Sequence, residues 1–414
     1  MNNLIKKILF WKMTILARMV IFRRKPEIIA ITGSVGKTST KEAIYTVLSG
    51  GKNIKKCEDD LGGNKSILFA LLDAKHDLSI KGMIRALMHG MDVFVFGGEY
   101  PETIILEFNA RKVGDIKKIA KWLHPDIVLV TRLPEVPVHI EFFKGSKEMT
   151  EEKMSIARAL KMSGTLILNA DDDNVMAHKE DLKSKTLTYG GSESANIRFS
   201  DVALAQATSE TKGGLTFKAN FDEKIFPVFL PDIYSESYVY IALSALAVAY
   251  AKGMNMVHAI ERLLEYKTPQ GRMQIIYAKN DVVFIDDSFN SSPLALESAL
   301  SVLGNIPFGK RKVAVLGDML ELGRFTDESH FNAGQYSYKH ADILVTSGLR
   351  AKKIAEGAKS TRMSHKKIFE TENERDTEDI LFKILKKGDV VLVKGAKKMN
   401  MRKIIDSLLG TIDA

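Results

Sequence analysis

Residues 31 to 40 read ITGSVGKTST, a stretch whose side chains suit the holding of phosphate. Gly33 and Gly36 let the backbone come close to an anion, with Ser34 between them. Backbone N–H groups in such a turn, and the positive end of a following helix, cradle phosphate oxygens. Lys37 is placed to pair with the β- and γ-phosphates and the Thr38 hydroxyl to hold magnesium, with Ser39 next along the chain. The common loop is G-x-x-x-x-G-K-[ST]. Ile31 stands where its first glycine would, so the match is to a shorter form, G-x-x-G-K-T. The tripeptide alone is a weak signal, and its bland alternative is a helix N-terminus behind a glycine turn. An apolar strand before it and a helix after it make the signal strong. The expectation is an enzyme that uses ATP with Mg2+.

Three further residues suit the same chemistry. Glu107 closes the apolar run TIILE, His139 lies between an apolar run and a helix, and Lys153 falls within a helical stretch. Singly, each has an ordinary reading: a surface carboxylate, a loop histidine, a solvated lysine. Together behind a phosphate loop they suit a reaction that brings a carboxylate against a γ-phosphate. Both groups are negative, and magnesium with a lysine must offset that charge as it builds. Glu107 and His139 both sit just past predicted strands, from where they are expected to converge near Thr38.

Such residues need a scaffold that brings strand ends to one edge. EIIAIT (27–32), TIILEF (103–108), DIVLVT (126–131) and TLILNA (165–170) read as buried strands, with helices over 112–123 and 147–163 between them. Strands alternating with helices imply a parallel sheet covered on both faces. Residues 186–230 are short-patterned and rich in Gly, Ser and Thr, which predicts antiparallel strands at the sheet's end. A long apolar helix follows at 237–254. After TPQGR (268–272) a second unit begins, with strands VVFIDDS (282–288), KVAVLGD (312–318), DILVTSG (342–348) and DVVLVKG (389–395). Each ends in Asp, Gly or Ser, where open α/β sheets place ligands. The fold class is therefore α/β: a phosphate-loop central domain with a mostly parallel sheet, and a Rossmann-like C-terminal α/β domain. The expected divisions are 1–26, 27–269 and 270–414.

A chain of 414 residues exceeds one hydrophobic core, which agrees with that division. Its single cysteine, Cys57, excludes an internal disulfide and a cysteine-built zinc ribbon, and suits a cytoplasmic protein. The net charge of +9 suits an anionic substrate or an anionic surface. The basic residues are spread along the chain without aromatic interleaving, which argues against nucleic acid. Residues 4–22, LIKKILFWKMTILARMVIF, place Lys12 and Arg18 too deep for a spanning helix, and no signal-peptide cleavage site follows. Leu4, Ile5, Ile8, Trp11, Ile15, Leu16 and Met19 share one helical face, on which Lys12 intrudes. The segment reads as an amphipathic helix lying either on a membrane surface, as a peripheral contact, or on the protein itself.

The segments around these residues resemble the Mur ligases, the enzymes that build the peptide of bacterial cell-wall precursors. The loop TGSVGKTST and the segment TLILNADDDN carry the likeness, as do IDDSFNSSPLALESAL, VAVLGDMLELG with His330 beyond it, and KGAKKM. It extends over roughly residues 27 to 405. The D-alanyl-D-alanine-adding branch shows a spacing matched by His139, Glu141, Phe143 and Lys153. The resemblance implies an ATP-dependent, ADP-forming amide ligase that works through an acyl phosphate. Its implied substrates are a peptide-bearing cell-wall precursor, a muramyl-tripeptide, and the dipeptide D-alanyl-D-alanine. It implies Glu107 and His139 as magnesium ligands with Thr38, a carbamylated Lys153 behind them, and Lys37 on the moving phosphoryl group. Asp287 and Asn290 are implied to face the nucleotide's ribose and base, and Arg272, in the hinge motif of TPQGRMQ, to help hold it. Asp286 is read as a turn cap, with Asp318 and Glu321 flanking the cleft between domains.

The likeness has gaps. Members of this branch carry a domain before the loop that binds the UDP end of the substrate, where here about 26 residues stand. The expectation is that the carrier end is gripped elsewhere, by a partner, or not at all, and one reading that follows is a membrane-bound or lipid-linked substrate in place of a soluble UDP sugar. Asn109 replaces a family glycine, CEDDLGGNKS an asparagine-rich segment, PDIYSESY a PGxHN segment, and Lys397 an arginine. These changes touch substrate recognition more than phosphate chemistry. Two other readings stand beside the first: a folylpolyglutamate-type ligase of the same fold, and a non-catalytic, nucleotide-binding, membrane-associated subunit. The DDSxN and LGDMxELG segments favour the cell-wall branch, and the survival of Glu107, His139 and Lys153 favours an active enzyme.

Overall fold

The structure is a computed structural model that describes residues 2–50, 53–58, 65–180, 182, 184–206 and 212–412. Most of the CEDDLGGNKS departure, residues 59–64, lies outside the described residues. The first sheet has nine strands: β1 (Glu27–Thr32), β2 (Ile54–Lys56), β3 (Thr103–Glu107), β4 (Ile127–Val130), β5 (Thr165–Asn169), β6 (Lys185–Gly190), β7 (Ile197–Ala205), β8 (Gly214–Phe221) and β9 (Lys224–Pro231). Their order is β2-β3-β1-β4-β5-β6-β7-β8-β9. Pairing is parallel from β2 to β7 and antiparallel between β7, β8 and β9, so the antiparallel part expected over 186–230 begins only at β7, and β6 pairs in parallel on both sides. Strands β3, β4 and β5 are buried at every residue, so they read as continuous apolar runs rather than alternating ones. The strand order reverses at β1, and the phosphate loop leaves its carboxyl end at that crevice.

One face of this sheet is covered by the helices Lys37–Leu48 and Ser237–Ala251, through Ile44, Val47, Ala245 and Val248. The other face carries the N-terminal helix Asn2–Arg24 with the helices Lys65–Leu71 and Ile80–Phe96. The N-terminal helix packs on the protein through Leu9, Met13, Leu16, Ala17 and Val20. Of the seven residues expected to share its apolar face, Leu16 alone is buried, so it docks by a different side. No described helix is long and apolar enough to cross a membrane.

The second sheet comprises β10 (Gln274–Tyr277), β11 (Val283–Asp287), β12 (Arg311–Gly317), β13 (Ile343–Ser347), β14 (Ile368–Thr371) and β15 (Asp389–Lys394). The order is β10-β11-β15-β12-β13-β14, parallel except for the β10–β11 pair. His330 is a buried strut here. Its Nε2 accepts the Met319 N–H at 2.9 Å while Nδ1 meets the Thr326 carbonyl at 2.6 Å. Burial holds its basicity below that of an ordinary histidine.

One expected helix largely fails. Only Lys117–Ala120 of 112–123 is helical. The buried carboxylate of Glu152 takes the N–H groups of Gly114, Ile116 and Lys117 at 2.9, 2.6 and 3.0 Å, and this competes with helical hydrogen bonding at the start of the segment. The expected helix at 147–163 spans Ser146–Arg158.

Candidate active site

The loop after β1 is shaped by two glycines. Gly33 has φ 129°, and a Cβ there would lie 2.0 Å from Thr131 Oγ1. Gly36 caps the following helix in left-handed backbone, φ 83°. The Ser34 N–H donates to the Arg132 carbonyl at 2.7 Å, which pins the loop to the chain leaving β4. Lys37 bends back so that its Nζ lies 3.4 Å from the Ser34 carbonyl.

Three parts of the chain meet at Thr38. Its hydroxyl donates to Glu107 Oε1 at 3.1 Å, and the Arg272 guanidinium donates to that hydroxyl at 3.0 Å. Glu107 is the last residue of β3, and its N–H is received by Cys57 Sγ at 3.1 Å. Lys41, one turn along the loop's helix, is buried 3.6 Å from Glu107 Oε2. That oxygen is itself buried and has no hydrogen-bond partner among the described residues. Lys153 reaches in from the helix Ser146–Arg158 and places Nζ 2.5 Å from Ser34 Oγ. Burial, reinforced by the Lys37 charge, holds its pKa well below the usual lysine value and favours the neutral amine.

His139 is placed differently from the expectation. It lies well past the end of β4, in left-handed backbone with φ 72°. Its Nδ1 meets the carboxylate of Glu321, from the second α/β unit. Burial lowers the basicity of this imidazole, Glu321 opposes that shift, and the cations Arg111 and Lys37 add to it. His139 lines the same cleft as Thr38 and Glu107, but its Nδ1 is directed to Glu321 rather than to that pair. Among the described residues, no three His, Cys, Asp or Glu side chains gather as a metal-ligand cluster.

The second unit contributes from the end of β11. Asp287 accepts from Lys394 Nζ at 2.5 Å and from the Met273 N–H at 3.1 Å. Burial raises its carboxyl pKa against the opposing pull of Lys394 and Arg272. Lys394 also donates to the Asn290 carbonyl at 2.9 Å. Asp286 caps the turn as expected, accepting the Ser288 N–H at 3.1 Å and its hydroxyl at 2.5 Å, and it also pairs with Arg402 at 2.7 Å. Arg272 stacks 4.0 Å over the Phe289 ring, next to Gly271 at φ 71°. Asp318 caps the Ala351 N–H at 2.8 Å, whereas Glu321 lines the cleft.

The expected site residues fall on two adjoining cavities. A cleft of about 1270 Å³ is lined by Gly33, Lys37, Thr38, Glu107, His139 and Lys153. A narrower one of about 170 Å³ is lined by Ser39 and Asp287. Ser34, Gly36, Arg272 and Asn290 line both. Lys41, Phe289 and the role of Lys394 escape the sequence reading. Lys41 lies three residues after Thr38 and so on the same helix face, and Phe289 lies between Asp287 and Asn290; those spacings were the available signals.

The Mur ligase middle domain family matches residues 31–249, and the Mur ligase glutamate ligase domain family matches residues 271–397. The UDP-N-acetylmuramoyl-tripeptide–D-alanyl-D-alanine ligase of Bacillus subtilis is 26% identical over 95% of this chain and 78% of its own length. The ligase of the same name from Buchnera aphidicola is 26% identical over 94% of this chain and 77% of its own. Among solved structures, the MurF ligase from Thermotoga maritima in complex with ADP superposes with a TM-score of 0.78 at 22% identity, covering 98% of this chain and 84% of its own. A pseudomurein peptide ligase from Methanothermus fervidus shares the fold at a TM-score of 0.65. With both of its α/β units matched and the phosphate loop at their junction, the chain belongs to the Mur ligase family of ATP-dependent, ADP-forming ligases.

Proposed function

We propose that this ligase joins the amine of D-alanyl-D-alanine to a carboxylate of a muramyl-tripeptide precursor. The names of the Bacillus and Buchnera relatives support that substrate pair. The observation that carries the chemistry is the meeting of Lys37, Thr38, Glu107, Lys153 and Arg272 on one cleft between two α/β units. In this reading residues 1–26, 27–269 and 270–414 are an N-terminal helix, a nucleotide-binding domain and a closing domain.

The substrate carboxylate attacks the γ-phosphorus of ATP, and ADP leaves. The amine attacks the carbonyl carbon of the resulting acyl phosphate and loses a proton, and the tetrahedral intermediate collapses as the acyl C–O bond breaks and inorganic phosphate departs with its electrons. Loop N–H groups hold the phosphates, and Lys37 moves from the Ser34 carbonyl to the transferring phosphoryl group. The Thr38 hydroxyl and the orphaned Glu107 Oε2 are hard oxygen donors that fit magnesium. Magnesium held there would supply positive charge to offset that of the nucleotide and the incoming carboxylate. His139, with Nδ1 engaged by Glu321, has Nε2 as its remaining donor. The neutral amine of Lys153 is the form that adds carbon dioxide, making a carbamate and releasing a proton, and this would support the same site. Arg272, Asp287 and Asn290 hold the nucleotide and help exclude water when the closing domain seats.

Phosphate release from ATP, measured with tripeptide donors, folate and dipeptides, tests the reading. Stimulation that requires both a muramyl-tripeptide and D-alanyl-D-alanine, and is lost in Lys37→Ala and Lys153→Ala, is expected. Stimulation by folate with glutamate instead would sink it in favour of the folylpolyglutamate type.

A further inference from the structure

The N-terminal helix has three sides. One is buried in the core through Leu9, Met13 and Val20. A second lines the cleft through Asn3, Lys6, Lys7, Phe10 and Thr14. The third carries a stripe at helical spacing, Leu4, Ile8, Trp11, Ile15, Met19 and Phe22, and is exposed. The neighbouring helix Ile80–Phe96 repeats the arrangement. It buries Met83, Ala86, Gly90 and Val93 and exposes Ile84, Met88, Met91, Val95 and Phe96. The two helices lie side by side: a Cβ on Gly90 would come 3.1 Å from Leu16 Cδ2, and Arg23 sits 5.4 Å over the Phe94 ring. Each exposed stripe lies on the side of its helix opposite the buried one.

Of the 22 large hydrophobic side chains exposed among the described residues, 12 stand on these two helices, so the apolar surface is concentrated rather than scattered. Trp11 is 63% exposed, and Phe22 and Phe96 are each 82% exposed. The N-terminal helix adds Lys12, Arg18 and Arg23 beside the stripe and has no Asp or Glu anywhere along it, and the neighbouring helix carries one acid, Asp92, against Lys81 and Arg85. We propose that this two-helix face docks on an anionic lipid bilayer, with both helices lying in the interfacial plane. The stripe inserts among acyl chains, the aromatic rings sit at the headgroup boundary, and the flanking cations meet lipid phosphates. The aliphatic stems of Lys12 and Arg18 let their charges reach the headgroups from beside the stripe. A second copy of the chain would bring these cations against their own like, whereas an anionic membrane complements the apolar stripe and the charge together. The same helix walls the cleft, so docking sets that wall beside the headgroups.

Co-sedimentation of the full chain with phosphatidylcholine vesicles, with and without phosphatidylglycerol, tests the proposal. The chain is expected to pellet with the anionic vesicles, weakly with neutral ones, and to be released by salt. The double substitution Trp11→Glu/Met88→Glu, both on the exposed stripes, is expected to weaken partition by about tenfold or more at an unchanged thermal midpoint. Val257→Glu, an exposed apolar residue elsewhere, should leave partition as it was. Equal binding to neutral and anionic vesicles, or binding that survives the double substitution, overturns the proposal. So does a wild-type chain that ignores vesicles and self-associates, with the double variant monomeric in analytical ultracentrifugation.

Discussion

The two α/β units face each other across the cleft with their buried charges in different states. On the central side, Glu107 Oε2 has no hydrogen-bond partner among the described residues and only a loose ion pair with Lys41 at 3.6 Å, and Lys153 is buried with its ammonium form disfavoured. On the C-terminal side the buried acids are paired: Asp286 with Arg402, Asp287 with Lys394, and Asp389 with Arg311. An unsatisfied buried polar group costs on the order of 1–3 kcal/mol. The central unit thus holds a carboxylate oxygen and an amine that a bound ligand would satisfy, while these three carboxylates of the C-terminal unit already sit against cations. Arg272 joins the two, stacked on Phe289 of one and hydrogen-bonded to Thr38 of the other.

Lys37→Ala strikes the central side where the effect should be greatest. Turnover is expected to fall on the order of a hundred- to a thousandfold at an unchanged thermal midpoint. A loss below tenfold would remove Lys37 from the phosphate chemistry. Arg402→Met strikes the paired side instead, leaving Asp286 buried with its two Ser288 hydrogen bonds and no cation. Breaking a buried pair in this way should cost about 3 kcal/mol, read as a lower denaturant midpoint. A shift too small to resolve would mean that the C-terminal pairs matter no more than surface ones.

At the junction, Arg272→Lys keeps the charge but loses the planar stack on Phe289 and the geometry toward Thr38. The KM for ATP should rise about tenfold with kcat less affected. An equal fall in kcat and kcat/KM would place Arg272 in the chemical step. The smallest effect concerns Lys153. Its folded pKa is depressed, so in carbon-dioxide-free buffer the unfolded chain binds a proton the folded chain does not. Stability should therefore rise with pH from the depressed value up to the usual lysine value of 10.5. Lys153→Met should flatten that rise in denaturation series run across pH, and an unchanged slope would mean the amine is charged in the fold.

Local features of the site were legible because they are local. The spacing of Gly33, Gly36, Lys37 and Thr38 between a strand and a helix is enough to announce a phosphate loop, and the Asp286 cap follows from a strand end before Ser288. The N-terminal helix was legible as amphipathic, but the side by which it packs on the protein was not. It carries apolar residues on two opposite sides, and periodicity does not say which side a domain covers. The segment 112–123 was misread because Glu152, distant in sequence, draws its N–H groups away from a helix. His139 was found as a residue but not with its partner, since Glu321 arrives from the other sheet.

What the sequence by itself determined is the set of elements and the residue types at their ends. Strand and helix periods, glycines and caps act over a few residues, so they are written in neighbouring letters. Only the tertiary structure decided which ends meet: Thr38 with Glu107 and Arg272, Lys153 with Ser34, His139 with Glu321. Those meetings depend on strand order, on how the two sheets pack, and on burial that shifts the Lys153 amine toward neutrality, none of which any single stretch of chain encodes.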